Sequence, residues 1–210
     1  MRTVAIIQAR MGSSRFPGKV MAMLAGKTVL QRVIERTKRL HVDEVVVATT
    51  CEMEDRALID PPRDGVTGFW WAGDPNDVLG RYVACARDRK ADRIVRITAD
   101  CPLLNPDVGN RVIDLLTSDV DYASNVIERQ YPKGWDVEAL WSDVLFRLDR
   151  MALSTYDREH VTRYILRNID LFVTANHGPI PADTSDRNLC VDYPEDIARL
   201  ERYAADLLAQ

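Results

Sequence analysis

A chain of 210 residues with 46% hydrophobic and 29% charged residues is long enough to bury a core, and it fits one domain spanning 1–210 better than two small ones. Met1-Arg2 leads into only four consecutive apolar residues, too few for a signal h-region or a membrane span, so a soluble cytoplasmic protein is expected. The net charge of −4 hides an asymmetry: residues 1–40 carry nine Lys and Arg against one acid, leaving −12 for the rest. Without aromatic interleaving, that basic start argues for a small anionic ligand and against a nucleic-acid polymer.

Apolar runs of strand length alternate with helix-period segments, the pattern of an α/β fold with a mainly parallel sheet. The first expected strand, 4–8, runs into "QARMGSSRFPGKV", a glycine-rich turn carrying Arg10, Arg15 and Lys19. A P-loop reads G-x-x-x-x-G-K-[ST]. Here five residues separate Gly12 from Gly18, and Val20 follows Lys19. The three cations and the backbone N–H groups freed by the glycines still suit a triphosphate, since arginine grips phosphate oxygens with two donors and lysine acts as a point charge.

A helix is expected to begin near Thr28, then a strand at 44–49, a helix near Glu52, a strand at 69–72 and a helix near Pro75, where Asp74-Pro75 has helix-start chemistry. The strand 93–98 leads into "TADCPLL", and Asn105-Pro106 opens the next helix. Strands follow at 122–124, 137–141, 171–176 and 189–192, with helices near Ser142, Arg158 and Pro194. The least regular stretches, 128–136 and 178–188, are loops and so candidate parts of a site.

Ligands of open α/β sheets sit beyond the carboxyl ends of the strands. That rule selects the loop 9–19, Asp100 after the strand 93–98, and Asp192 at the end of 189–192. Two such carboxylates suit Mg²⁺, which takes one or two protein carboxylates and fills its other positions with water and substrate phosphate. The bland alternative is that each acid caps a helix. Asp119-Val120-Asp121 is a D-x-D, a metal motif of many glycosyltransferases, though acids at a helix-to-strand turn are common. His41 and His177 fit structural or surface roles, while Arg158-Glu159-His160 is a dense polar triplet at a helix start. No G-x-S-x-G or G-x-G-x-x-G is present. Cys51, Cys85, Cys101 and Cys190 are widely spaced without a C-x-x-C, which speaks against zinc and disulfides and for buried apolar roles.

"IIQARMGSSRFPGKVM", "VVVATT", "DVLGRY", "RITADCPLLNPD", "YPKGWDVEAL", "REHVTRYI" and "VDYPEDIARL", in that order, resemble the cytidylyltransferases that activate acidic sugars, the CMP-KDO and CMP-sialic acid synthetases, and most of all their spore-coat polysaccharide biosynthesis (SpsF-like) branch. The resemblance implies a three-layer, Rossmann-like nucleotide-diphospho-sugar transferase fold with a mainly parallel mixed sheet, usually as a homodimer. It implies transfer of CMP from CTP to an acidic sugar or related anionic acceptor, with release of pyrophosphate. By motif, Gln8, Ala9, Arg10, Gly12, Ser14, Arg15, Lys19 and Thr98 would bind the nucleotide, Arg10, Lys19 and Asp100 would be catalytic, and Asp100 and Asp192 would hold Mg²⁺. The Gln-Gly-Asp-Glu-Pro of the KDO enzymes is Thr98-Ala99-Asp100-Cys101-Pro102 here, and "VDYPED" offers only Asp192 where sialic acid enzymes place two aspartates.

The irregular stretch and the polar triplet supply the acceptor candidates Asn125, Arg129, Tyr131, Lys133, Asp136, Glu138, Arg158 and His160, with Lys133 or Arg129 suited to an acceptor's anionic group. Equally, residues 128–165 could form a dimerisation arm. Two other functions stay open: a metal-dependent glycosyltransferase using the D-x-D acids, and a nucleotide-binding protein without catalysis.

Overall fold

Val4, Ala5, Ile6 and Ile7 are all fully buried, because their strand lies in the middle of a sheet covered on both faces. A run that is apolar at every position is what such a strand requires. The computed structural model describes residues 1–60, 65–178, 184 and 186–204.

In chain order the elements begin with β1 (Thr3–Gln8), the short hairpin β2 (Met23–Leu24) and β3 (Lys27–Thr28), α1 (Val29–Thr37) and β4 (Glu44–Thr50). After a 3₁₀ turn, Met53–Leu58, come β5 (Thr67–Trp71), α2 (Val78–Arg89), β6 (Arg93–Thr98), α3 (Pro106–Asp114), β7 (Tyr122–Ser124) and β8 (Glu138–Trp141). The chain continues through α4 (Ser142–Met151), α5 (Thr155–His160), α6 (Arg163–Arg167), β9 (Thr174–Asn176) and α7 (Glu195–Ala204).

The large sheet has seven strands in the order β5-β4-β1-β6-β8-β7-β9. Only β8 runs antiparallel to its neighbours, so the sheet is mixed but mainly parallel, as expected. Alternate residues of the central strands divide between two cores. Ala5, Ile7, Val45, Val47, Val95 and Ile97 pack with Leu30, Val33 and Ile34 of α1 and Val112 and Ile113 of α3. Val4, Ile6, Val46, Ala48 and Ile94 pack with Leu79, Tyr82 and Val83 of α2 and Leu145 and Leu148 of α4. Helix, sheet and helix therefore make the three layers. No helix among the described residues is long and apolar enough to cross a membrane.

The chain steps from β1 outward to β4 and β5, then returns to place β6 on the other side of β1. Strand order reverses at β1/β6, and the loops leaving both strands open onto the same crevice. Gln8 and Thr98 lie side by side in the register, so the loop 9–19 and the turn after Thr98 are neighbours.

Several expected boundaries hold through their caps. Thr28 and Gln31 form a reciprocal capping box at α1, and Asn105 accepts from Asp107 and Val108 at α3. Others move. Residues 189–192 are not a strand; they form a buried crossing segment held by Leu189 N–H on Lys133 O (2.7 Å) and Val191 N–H on Asp100 O (2.9 Å). The place beside β6 belongs to β8, and the apolar run reports burial alone. The helix expected near Pro75 starts at Val78, because Asp77 caps Gly80 N–H (2.9 Å) while Asp74 closes a turn on Asn76 N–H (2.8 Å). The helix near Glu52 is the 3₁₀ turn, that near Arg158 begins after its cap Ser154, and 171–176 shortens to β9 behind another 3₁₀ turn, Ile169–Leu171. Cys85, Cys101 and Cys190 are buried as expected, whereas Cys51 is exposed. Part of the expected loop 178–188, residues 179–183 and 185, lies outside the described residues.

Candidate functional site

Lys19 enters a short 3₁₀ turn behind Gly18, whose φ of 71° puts it in the left-handed region that suits glycine. This turn aims the lysine across the crevice. Its ammonium donates to Asp100 Oδ2 (2.6 Å), Val191 O (2.9 Å) and Asp192 Oδ1 (3.4 Å), which uses all three of its donors. Asp192 also accepts from Arg15 (2.7 Å) and, on its other oxygen, from Lys133 (3.1 Å). Two acids 92 positions apart thus meet on one cation, within a group that carries more positive than negative charge. Burial opposes ionisation of Asp192, yet the Lys133 hydrogen bond and the charges of Lys133, Lys19 and Arg15 outweigh it and hold its carboxyl below the usual range. Among the described residues the Asp192 carboxylate accepts from the Arg15, Lys19 and Lys133 side chains and caps no helix, while its own N–H, like that of Tyr193, is taken by Asp196 Oδ2 (2.8 Å each).

The eight residues expected to bind nucleotide all line one cleft of about 240 Å³, together with Asp100 and Glu159. Gln8 Oε1 is buried there without a hydrogen-bond partner among the described residues. Arg10 turns toward the α2 side, donating to Asn76 Oδ1 (2.9 Å) and Pro75 O (3.2 Å).

The acceptor candidates scatter. Arg129, Glu138 and His160 line a second cavity beside the cleft. Lys133 joins Asp192, and Asp136 is held by both nitrogens of the Arg129 fork (2.7 and 2.8 Å). Asn125, fully buried, bonds Trp135 O (2.8 Å) and Val137 N–H (2.9 Å) and so braces the loop that precedes β8. The Tyr131 hydroxyl meets His177 Nε2 (2.9 Å), and burial lowers the His177 pKa, the structural role expected for that histidine. Arg158 forks onto Asp77 (2.9 and 2.8 Å) and Asp149 (3.0 Å), tying α5 to α2 and α4. These last three line neither cavity.

Asp119 accepts from the Thr117 hydroxyl (2.6 Å) and Asp121 from Val173 N–H (2.9 Å). Both precede β7, which runs parallel to β6 and sets Tyr122 level with Ile94 through β8. The D-x-D is therefore at the opposite edge of the sheet from the crevice.

Asp55 carried no motif. It is 1% exposed and accepts from Met11 N–H (2.6 Å) and from the Thr50 hydroxyl, pinning the loop between Arg10 and Gly12. Asp55→Ala is expected to raise the CTP KM about tenfold, the loss of roughly 1.4 kcal/mol of loop preorganisation. Asp55→Asn, which keeps one acceptor oxygen, should recover most of it. Saturation kinetics of both variants check this, and an unchanged KM in the alanine variant would remove Asp55 from the loop's support.

A family model described as "Cytidylyltransferase" matches residues 4–207. The chain belongs to the cytidylyltransferase family. Its enzyme class is that of a CTP-dependent nucleotidyltransferase, as the motifs implied. Within the family it is 31% identical over 177 residues to the spore coat polysaccharide biosynthesis protein SpsF of Bacillus subtilis, covering 80% of this chain and 71% of that one. It is 40% identical over 116 residues to a 3-deoxy-manno-octulosonate cytidylyltransferase of Trichlorobacter lovleyi, covering 54% of this chain and 44% of the relative. A solved cytidylyltransferase structure from Leptospira borgpetersenii superposes with a TM-score of 0.91 at 32% identity, over 98% of this chain and 87% of that chain.

Proposed function

We propose that this cytidylyltransferase moves CMP from CTP onto an anionic sugar acceptor and releases pyrophosphate, with Arg10, Arg15, Lys19, Asp100 and Asp192 forming the reacting end of the cleft. The observation that carries this reading is the Lys19 ammonium bound to both Asp100 and Asp192. It puts a positioned cation and two hard oxygen ligands at the mouth of a cation-rich loop.

The donor set fits Mg²⁺. No group of three or more His, Cys, Asp or Glu suited to a metal occurs among the described residues, so a closed structural site is not at hand. An ion that completes its shell with water and phosphate needs only one or two carboxylates, and Asp100 and Asp192 supply them. When bound, the ion supplies charge neutralisation at the transferring phosphoryl group.

The protein's own residues do the positioning. Lys19 exchanges a carboxylate for a phosphate oxygen as the triphosphate enters. Arg15, half exposed beside Asp192, reaches the same oxygens, and the Gln8 amide and the Ala9 backbone face the base. An acceptor oxygen then forms its bond to the α-phosphorus as the bond to pyrophosphate breaks. Catalysis here is orientation and electrostatics, with no covalent step by the protein.

The test is pyrophosphate release with Mg²⁺, each of the four nucleoside triphosphates, and a panel of sugar acids, sugar phosphates and phosphonates. Release with CTP and an acidic acceptor, abolished by a chelator, is expected. Silence with CTP across the panel overturns the proposal.

A further inference from the structure

Cys101 and Cys190, 89 positions apart, meet beneath the two acids of the cleft with their sulfurs 3.3 Å from each other, and both thiols are free. Cys101 directly follows Asp100, and Cys190 lies two residues before Asp192. The backbone joins the same two segments through Val191 N–H on Asp100 O (2.9 Å). No C-x-x-C announces this pair, because only the packing of the crossing segment 189–192 against the turn after β6 brings it together.

Cys101 and Cys190 are only 3% and 4% exposed, and the way in is the nucleotide cleft. Cys101 Sγ is 3.0 Å from the Thr98 hydroxyl and 3.6 Å from Asp100 Oδ1. Thr98 and Asp100 both line the cleft, so the sulfur lies just under its lining. A disulfide bond is shorter than the present contact. Forming one draws the turn after β6 and the segment 189–192 together and removes the S–H that faces the Asp100 carboxylate. Lys19 bridges Asp100 and Asp192 at 2.6 and 3.4 Å, an arrangement that a shift of one acid against the other breaks. A displacement of about 1 Å at such a site costs on the order of 10² in rate.

We propose that Cys101 and Cys190 form a modification site, a dithiol that hydrogen peroxide converts to a disulfide, and that the bond lowers turnover by moving Asp100 against Asp192. The Cys101 sulfur attacks one peroxide oxygen, the O–O bond breaks, and the departing hydroxide takes the thiol proton and leaves as water. The product is a sulfenic acid. The Cys190 sulfur then displaces the sulfenic hydroxyl, which leaves as a second water with the Cys190 proton. Two thiols are oxidised to one disulfide while one peroxide is reduced to two waters. Cys190 is already in contact, so it captures the sulfenic acid before a second peroxide arrives. The hydrogen bond with Cys190 and burial together raise the Cys101 thiol well above its ordinary pKa, so the reaction is slow and records prolonged exposure to peroxide. Formation of the bond is independent of the cytidylyl-transfer reading; its effect on turnover rests on that reading.

The test uses the full chain carrying Cys51→Ser, which removes the exposed thiol, treated with hydrogen peroxide and then with dithiothreitol. Mass spectrometry should show a loss of about 2 Da and a link between the peptides holding Cys101 and Cys190. The value of kcat/KM should fall about tenfold or more, and dithiothreitol should restore both mass and rate. CTP with Mg²⁺, which covers Thr98, should slow the link. Cys101→Ala and Cys190→Ala, each made in the same background, should turn over without peroxide and keep their rate in it. Failure of the link to form overturns the proposal, as does a linked enzyme with an unchanged kcat/KM. Peroxide that inactivates both alanine variants as fast as the parent also overturns it, since the loss then belongs to another residue. A chain that forms the link yet releases no pyrophosphate from CTP before oxidation removes the transferase reading and leaves the modification site.

Discussion

Lys19→Ala is expected to lower kcat/KM by about 10²–10³, corresponding to roughly 3–4 kcal/mol of transition-state stabilisation. The side chain is 12% exposed and bonded to two carboxylates and a carbonyl. Its ammonium is therefore held in position before substrate arrives, and a preorganised charge costs no rearrangement when charge builds on the phosphate. Removing it has a second effect. Asp100 and Asp192 lose the cation that both contact, so their mutual repulsion grows as the triphosphate approaches. Lys19→Arg should be nearly as damaging, since a planar fork does not replace a compact point charge bonded on three sides. Asp100→Ala should fall by a similar factor, because it removes a ligand of the proposed ion. Steady-state and single-turnover rates check these values against binding of CTP. A Lys19→Ala enzyme that turns over within about threefold of the wild type would show that the lysine is a structural clasp between the loop and Asp100.

How much of this could be read beforehand depends on whether a residue's role is local. β1 and β4 were legible because a strand buried on both faces is apolar along most of its length, and β6 because Ile94, Val95 and Ile97 keep a strand-length apolar run around Arg96. The loop 9–19 was legible for the same kind of reason: Pro17-Gly18 sets a turn whatever surrounds it. Asp100 could be found from the strand before it. Asp192 was found by a wrong route, since 189–192 is no strand, yet the segment still crosses the carboxyl edge of the sheet. Asp74-Pro75 and Asp77 both have the chemistry of a helix start, and only packing decides that Asp77 caps α2.

Tertiary roles left no such mark. Asp55 becomes the anchor of the loop through Met11, 44 positions away. Arg129 and Lys133 looked like the acceptor's cations, but Asp136 and Asp192 occupy them. The D-x-D failed as a metal site for a reason of direction: residues ahead of a parallel strand lie at the wrong edge of the sheet.

Glu138→Ala is expected to destabilise the protein by about 3–5 kcal/mol. Glu138 is 3% exposed and sits opposite Arg96 in the β6–β8 register, where it accepts from Arg96, Tyr122 and Thr162. Alanine leaves a largely buried guanidinium and two hydroxyls without their carboxylate acceptor, and an unpaired charge at such a site costs more than the pair contributes. Burial alone would push the Glu138 carboxyl up; the Arg96 charge and the three hydrogen bonds outweigh it and hold the carboxyl below its ordinary value. A carboxylate with a depressed native pKa contributes stability that is present above its unfolded pKa, about 4.3, and is lost as pH falls through the lower native value. The urea midpoint difference between wild type and Glu138→Gln should therefore be largest near neutral pH and shrink in acid. Arg96→Leu combined with Glu138→Leu should be far more stable than Glu138→Ala, because it removes the stranded charge together with its partner. A single Glu138→Ala variant as stable as the double one would mean that Arg96 finds solvent or another acceptor without cost, and the buried pair would then carry no weight in joining β6 to the antiparallel β8.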